Sequence, residues 1–179
     1  MNQLHLLLVA IVSGLISYFL FQKLFNRDPV KLVEYTSLKG NFRGVMPANY
    51  QEFCEYMTTS AGKLVVNLTK GRSRFHQFIV CYSDYPQPIT DVKYHEKMLD
   101  GARDGVVAKV KGELLKEIRF NFQGAKAREI HVVVKPRAVM RTRIMFVGNR
   151  MYQLQVVSSP RRISYKKVNE FFEGFSLLS

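Results

Sequence analysis

The chain predicts an α+β fold in which a largely antiparallel sheet is covered by packed helices, and three features of its patterning carry that reading. Apolar residues alternate with period two in run after run. Neighbouring runs are joined by stretches short enough for hairpins, which implies antiparallel pairing. The period changes to that of a helix twice, once mid-chain and once near the C-terminal end.

The elements follow in order. Tyr50 to Thr58 and Lys63 to Thr69 are β-prone runs flanking Thr59-Ser60-Ala61-Gly62, a pattern that predicts a hairpin. Phe75 to Tyr82 is apolar on both sides of its alternation, as a strand in the sheet interior requires. Asp84-Tyr85-Pro86-Gln87-Pro88 ends it, because proline cannot donate to a strand ladder. From Asp91 to Lys111 the period becomes helical: Met98, Leu99, Ala102, Val106 and Val110 share one face and Glu96, Lys97, Asp100, Arg103 and Asp104 the other, so a helix lies on the sheet. Gly101 and Gly105, four apart, either permit a close helix approach or simply weaken the helix.

After Gly112 the period returns to two. Ile118, Phe120 and Phe122 alternate with polar residues, and Ile130, Val132 and Val134 define a further strand. The clearest hairpin is Ile144 to Val147, then Gly148-Asn149, then Arg150 to Val157, since a two-residue Gly-Asn connection supplies the positive φ such turns demand. Ser159-Pro160 offers an N-cap and a first-turn proline, and Val168, Phe171, Phe172 and Phe175 make the apolar stripe of a C-terminal helix ending at Gly174.

The N-terminal end reads differently. Leu4 to Phe21 carries no formal charge over 18 residues, near the lower limit for a helix spanning a bilayer. A cleaved signal peptide is disfavoured because Met1-Asn2-Gln3 brings no Lys or Arg and no small-x-small site follows, and a core helix is disfavoured because the segment is apolar all round. The expected organisation is thus a membrane anchor at residues 1–22 that contacts lipid through Leu4 to Phe21, a tether at 23–41, and a domain at 42–179, in a single-pass membrane protein. Lys23, Arg27, Lys31, Lys39 and Arg43 all follow the apolar segment, a bias toward a cytoplasmic domain.

For chemistry, the pattern is mostly negative. There is no GxSxG elbow, P-loop, HExxH, CxxC or dinucleotide fingerprint, so neither enzyme nor cofactor is expected. His5, His76, His95 and His131 are scattered without metal-ligand spacing, and Cys54 and Cys81 are too few for a disulfide scaffold, although one bridge between them stays open. Asp100 and Asp104 share a helical face but read as a solvated flank.

Charge is the informative feature. With 27 Lys and Arg against 14 Asp and Glu, the formal charge is +13. Nine cations, Lys135, Arg137, Arg141, Arg143, Arg150, Arg161, Arg162, Lys166 and Lys167, lie between Ile130 and Asn169 with no acid among them, which predicts a basic surface for a protein partner or anionic lipid headgroups. Nucleic acid is disfavoured, because there is no Trp and no stacking platform.

Several blocks carry a likeness to a known family: YHEKMLDGARDGVVAKVKGELL, GAKAREIHV, RTRIMFVGNRMYQLQVV and VNEFFEGFSLL. The span from Phe42 to Leu178 resembles a family of small uncharacterised bacterial proteins, exported or membrane-attached, whose fold is similar to PsbP, the extrinsic photosystem protein. Ala127 departs from the family pattern, where a glycine precedes the Arg128-Glu129 pair. The family brings no activity with it. The resemblance implies an exported domain acting as an accessory or assembly subunit of a larger membrane complex, and the alternative is a free-standing module for a small or lipid ligand.

Overall fold

The computed structural model describes residues 31–59, 62–85, 92–134, 136 and 138–178. Its elements are β1 (Leu32–Ser37), β2 (Phe42–Pro47), β3 (Gln51–Thr59), β4 (Gly62–Arg72), β5 (His76–Asp84), α1 (Val92–Val110), β6 (Glu113–Phe122), β7 (Ala125–Val134), β8 (Ala138–Val147), β9 (Arg150–Ser158), α2 (Tyr165–Glu173) and β10 (Ser176–Leu177). Seven strands form one antiparallel sheet in the order β3-β4-β5-β9-β8-β7-β6, and β1-β2-β10 form a small second sheet.

The alternation read from the sequence decides which residues meet on which face. On one face Leu64, Val66, Leu68, Ile79, Cys81, Ile130, Ile144 and Phe146 pack against Met98, Leu99, Ala102, Val106 and Val110, the apolar stripe of α1. On the other, Phe78, Val80, Tyr82, Met145, Tyr152, Leu154 and Val156 pack against Val168, Phe171 and Phe172 of α2, Phe175 just beyond it, and Tyr35, Phe42 and Met46 of the small sheet. The two central strands β5 and β9 are buried along almost their whole length, as expected of strands covered on both sides.

Two glycines fix this geometry. Gly148 turns the β8–β9 hairpin at φ +61°, the left-handed value the Gly-Asn pair predicts. Gly71 lets β2 cross β4, since a Cβ there would stand 2.8 Å from Cδ of Pro47.

Three expectations are corrected. The fold class is dominated by antiparallel sheet rather than being a helix-packed α+β sandwich: strands make up 59% of the described residues and the two helices 20%. The physical reason lies on the second face. The nine-residue α2 is too short to cover it, and sheet packs on sheet over the remainder. Part of that small sheet comes from Leu32–Ser37, which the sequence reading gave to a tether. Tyr35 holds β1 in place, its ring 5.7 Å from that of Phe42 and 4.9 Å from that of Tyr50.

The single-pass membrane localisation is corrected as well. Among the described residues no helix is long and apolar enough to cross a membrane. The expected anchor at residues 1–22 lies outside the described residues. The third correction concerns α2, which begins at Tyr165 with Ser164 as N-cap, while Ser159 to Arg162 form a turn closed by the Arg162 amide on the Ser159 carbonyl at 3.0 Å.

Candidate docking surface at the basic end of the sheet

Strand register collects cations at one end of the large sheet. Arg72 pairs with Gln77, His76 with Ser158, Ser158 with Val139, and Val139 with Val133, so the β4–β5 turn, the β7–β8 turn and the β9–α2 connection all emerge there. Seven of the nine cations predicted from the sequence are described, and they divide between this end and the sheet itself. Lys135 and Arg137 fall outside the described residues.

Arg141, Arg143 and Arg150 are committed to acids. Arg141 and Arg143 both bind Glu129, at 2.5 and 2.7 Å, and Arg143 also reaches Glu173 at 2.7 Å. Arg150 grips Asp84 with two hydrogen bonds of 2.5 and 2.7 Å and donates to the Lys39 carbonyl at 3.0 Å. These three stabilise the fold and leave little field for a partner. Burial opposes ionisation of Glu129, but hydrogen bonds from Arg143, His131 and Arg141 outweigh it and hold the carboxyl at about 2.

Arg161, Arg162, Lys166 and Lys167 remain. The first three are exposed and Lys167 is half-buried. None of the four makes an ion pair among the described residues. The structure adds Arg74, which sequence reading missed: its guanidinium lies 5.0 Å from the Phe75 ring centre, and that of Arg162 lies 5.3 Å from the same ring. Only the basic run Lys70-Gly71-Arg72-Ser73-Arg74 hinted at it. Two cations sharing one aromatic ring repel each other, and an anion beside them lowers that energy.

The segment carrying these cations is pinned to the sheet. Ser159 donates its amide to the Phe75 carbonyl at 3.2 Å, and Ser164 donates its amide to Nε2 of His76 at 2.9 Å. Nδ1 then carries the proton and faces Ser73 Oγ at 3.4 Å. Burial, and then the nearby charge of Lys167, push the His76 pKa down, which keeps the ring neutral as this acceptor role requires.

A cleft of about 260 Å³ opens between β1 and the β3–β4 surface. The Tyr35 hydroxyl donates to Glu52 at 2.5 Å and lies 3.0 Å from Thr69 Oγ1, while Lys39 donates to Asn67 at 3.1 Å. Burial and the Glu52 hydrogen bond push Tyr35 up to about 12. Its polar groups therefore satisfy one another. Cys54 lines this cleft, whereas Cys81 faces the α1 core, and both are free thiols, so the open disulfide question closes against a bridge.

The fold and surface together define a sheet-dominated antiparallel domain with an unneutralised cationic end. No family model matches the sequence, and no curated protein matches it either. In structure the chain is similar to cyanobacterial PsbP (CyanoP) from Synechocystis sp. PCC 6803, with a TM-score of 0.54 and 11% identity over 88% of this chain and 98% of that one. A PsbP-like fold is thereby supported. A protein of unknown function from Pseudomonas aeruginosa aligns at a TM-score of 0.34 and 12% identity, covering 73% of this chain and 84% of that one.

Proposed function

We propose that this domain is a non-catalytic binding module, an accessory or assembly subunit that holds an acidic protein partner against the basic end of its sheet. The observation behind this reading is the contrast between two sets of cations. Those on the sheet are matched to Glu129, Glu173 and Asp84, while Arg74, Arg161, Arg162, Lys166 and Lys167 make no ion pair among the described residues, and two of them, Arg74 and Arg162, share the Phe75 ring. An unmatched cluster of one sign costs folding energy through self-repulsion and is offset only when an opposite charge docks. An accessory role is also what the PsbP-like resemblance implies.

Photo-crosslinking tests the reading. The full chain carrying a photoreactive residue at Tyr165 is irradiated in its native host and the adduct identified by mass spectrometry. One acidic protein should be captured, less at raised salt, and lost when Arg74→Glu, Arg162→Glu and Lys166→Glu are combined in a variant of unchanged melting temperature. Undiminished capture by that variant overturns the proposal.

A further inference from the structure

An apolar pocket opens on the α2 side of the large sheet, at the same end as the unmatched cations. Its volume is about 130 Å³, and Val133, Val139, Val156, Ile163 and Val168 line it. Register explains the composition, because Val139 pairs with both Val133 and Ser158, bringing the ends of β7, β8 and β9 under the first turn of α2. Two exposed apolar residues flank it. Leu115, at the bulge that interrupts β6, is 60% exposed, and Tyr165, the first residue of α2, is 64% exposed. A single exposed apolar residue is ordinary, but two bordering an apolar pocket form a patch of the kind that marks an interaction site.

The two ionisable basic residues of the pocket are already occupied. His131 and Arg141 line it, yet both bind Glu129, at 2.8 Å and 2.5 Å. They offer an entering group no free charge. The unmatched cations lie outside it, on the adjoining turn and helix: Arg161 and Arg162 on one side and Lys166 on the other bracket the pocket residues Ile163 and Tyr165 in sequence.

From this arrangement we infer that the partner is an acidic segment bearing a large aliphatic side chain, which enters the pocket while flanking carboxylates engage Arg161, Arg162 and Lys166. The inference rests on the acidic-partner reading and specifies its chemistry. Size agrees: a cavity near 150 Å³ accommodates benzene, so a leucine or isoleucine side chain fits the pocket and a larger aromatic overfills it. Charge complementarity fixes the rest of the segment, because carboxylates lower the repulsion among cations that form no ion pair within the domain.

Two synthetic ten-residue peptides of Asp and Glu, one with a central leucine and one with alanine there, serve as probes, titrated into the full chain by fluorescence anisotropy. The leucine peptide should bind roughly tenfold to fiftyfold more tightly, according to how fully its three extra carbons are buried. Filling the pocket with Val139→Phe, or with Ile163→Trp where the first variant melts early, should bring the leucine peptide down to the alanine value and leave the alanine peptide unchanged. Combined Arg162→Glu and Lys166→Glu should weaken both. Equal binding of the two peptides, with charge reversal still weakening both, overturns the pocket inference and leaves the acidic-partner reading standing. Absence of binding, or binding indifferent to charge reversal, overturns both.

Discussion

At the scale of single residues, Arg128 and Glu129 dominate. They are adjacent in β7, so the pleat sends them to opposite faces of the sheet. The Arg128 side chain, 1% exposed, meets Glu117, Glu96 and Asp100 beneath α1. Glu129, 5% exposed, meets Arg141, Arg143 and His131 on the α2 side. Removing one partner from such a cluster leaves the others buried and uncompensated, so Glu129→Gln should destabilise the domain by about 3 kcal/mol in urea denaturation at neutral pH. The pH dependence follows from the lowered carboxyl. Its ordinary value of 4.5 applies to the unfolded chain and about 2 to the folded one, so this contribution is complete above pH 4.5 and is lost as pH falls toward 2. The variant should lack that part of the acid-induced loss, and an unaltered acid profile would contradict this account. The same cluster shows what the sequence leaves unreadable about the basic stretch. Composition shows Arg141 and Arg143 as free charge, because their acids come from Glu129 and Glu173, far along the chain or outside the basic stretch.

At the scale of elements, legibility tracked how much of each element's stability is local. The helix α1 and the β8–β9 hairpin were readable because a long apolar stripe and a Gly-Asn turn write themselves into neighbouring residues. Strand β1 was not readable, since only Tyr35 in it is buried and its partners lie elsewhere: Phe42, Glu52 and Thr69 in other strands and Tyr50 in the connection between β2 and β3. The start of α2 was misplaced for the same reason. Ser159-Pro160 has the chemistry of a helix start, but His76 receives the Ser164 amide and sets the first turn five residues later. This hydrogen bond makes α2 sensitive to acid. Burial, with Lys167 second, lowers the His76 pKa in the folded state, so its contribution is present above the unfolded value of 6.5 and is lost as pH falls below it. The protection of the Ser164 and Lys167 amides against exchange, relative to their intrinsic rates, should therefore fall as pH is lowered from 7 to 5. His76→Gln should remove that dependence, while Ser164→Ala, which loses the cap on the Lys167 amide, should cost about 1 kcal/mol at either pH.

At the scale of the whole molecule, the question is whether the two hydrophobic layers act as one unit. Strands β5, β8 and β9 contribute to both: Ile79, Cys81, Ile144 and Met151 face α1, while Phe78, Val80, Met145, Tyr152 and Leu154 face α2 and the small sheet. Neither layer can lose its order without exposing a face of strands that the other layer needs, and the four ladders those strands make, β4–β5, β5–β9, β9–β8 and β8–β7, would have to break with it. Unfolding should consequently be a single transition. Leu99→Ala on the α1 side and Phe171→Ala on the α2 side, both at fully buried positions, should each cost about 3 kcal/mol or somewhat more. Each should lower one melting temperature, with far-ultraviolet and near-ultraviolet circular dichroism tracing the same curve. Two separated steps in the Phe171 variant, with α1 and its strands melting later than the small sheet, would show that the layers are independent and that the basic end, carried by α2 and its preceding turn, can loosen while the rest of the domain stays folded. A single step means instead that the basic end, carried by α2 and its preceding turn, is lost only together with the sheet on which it sits.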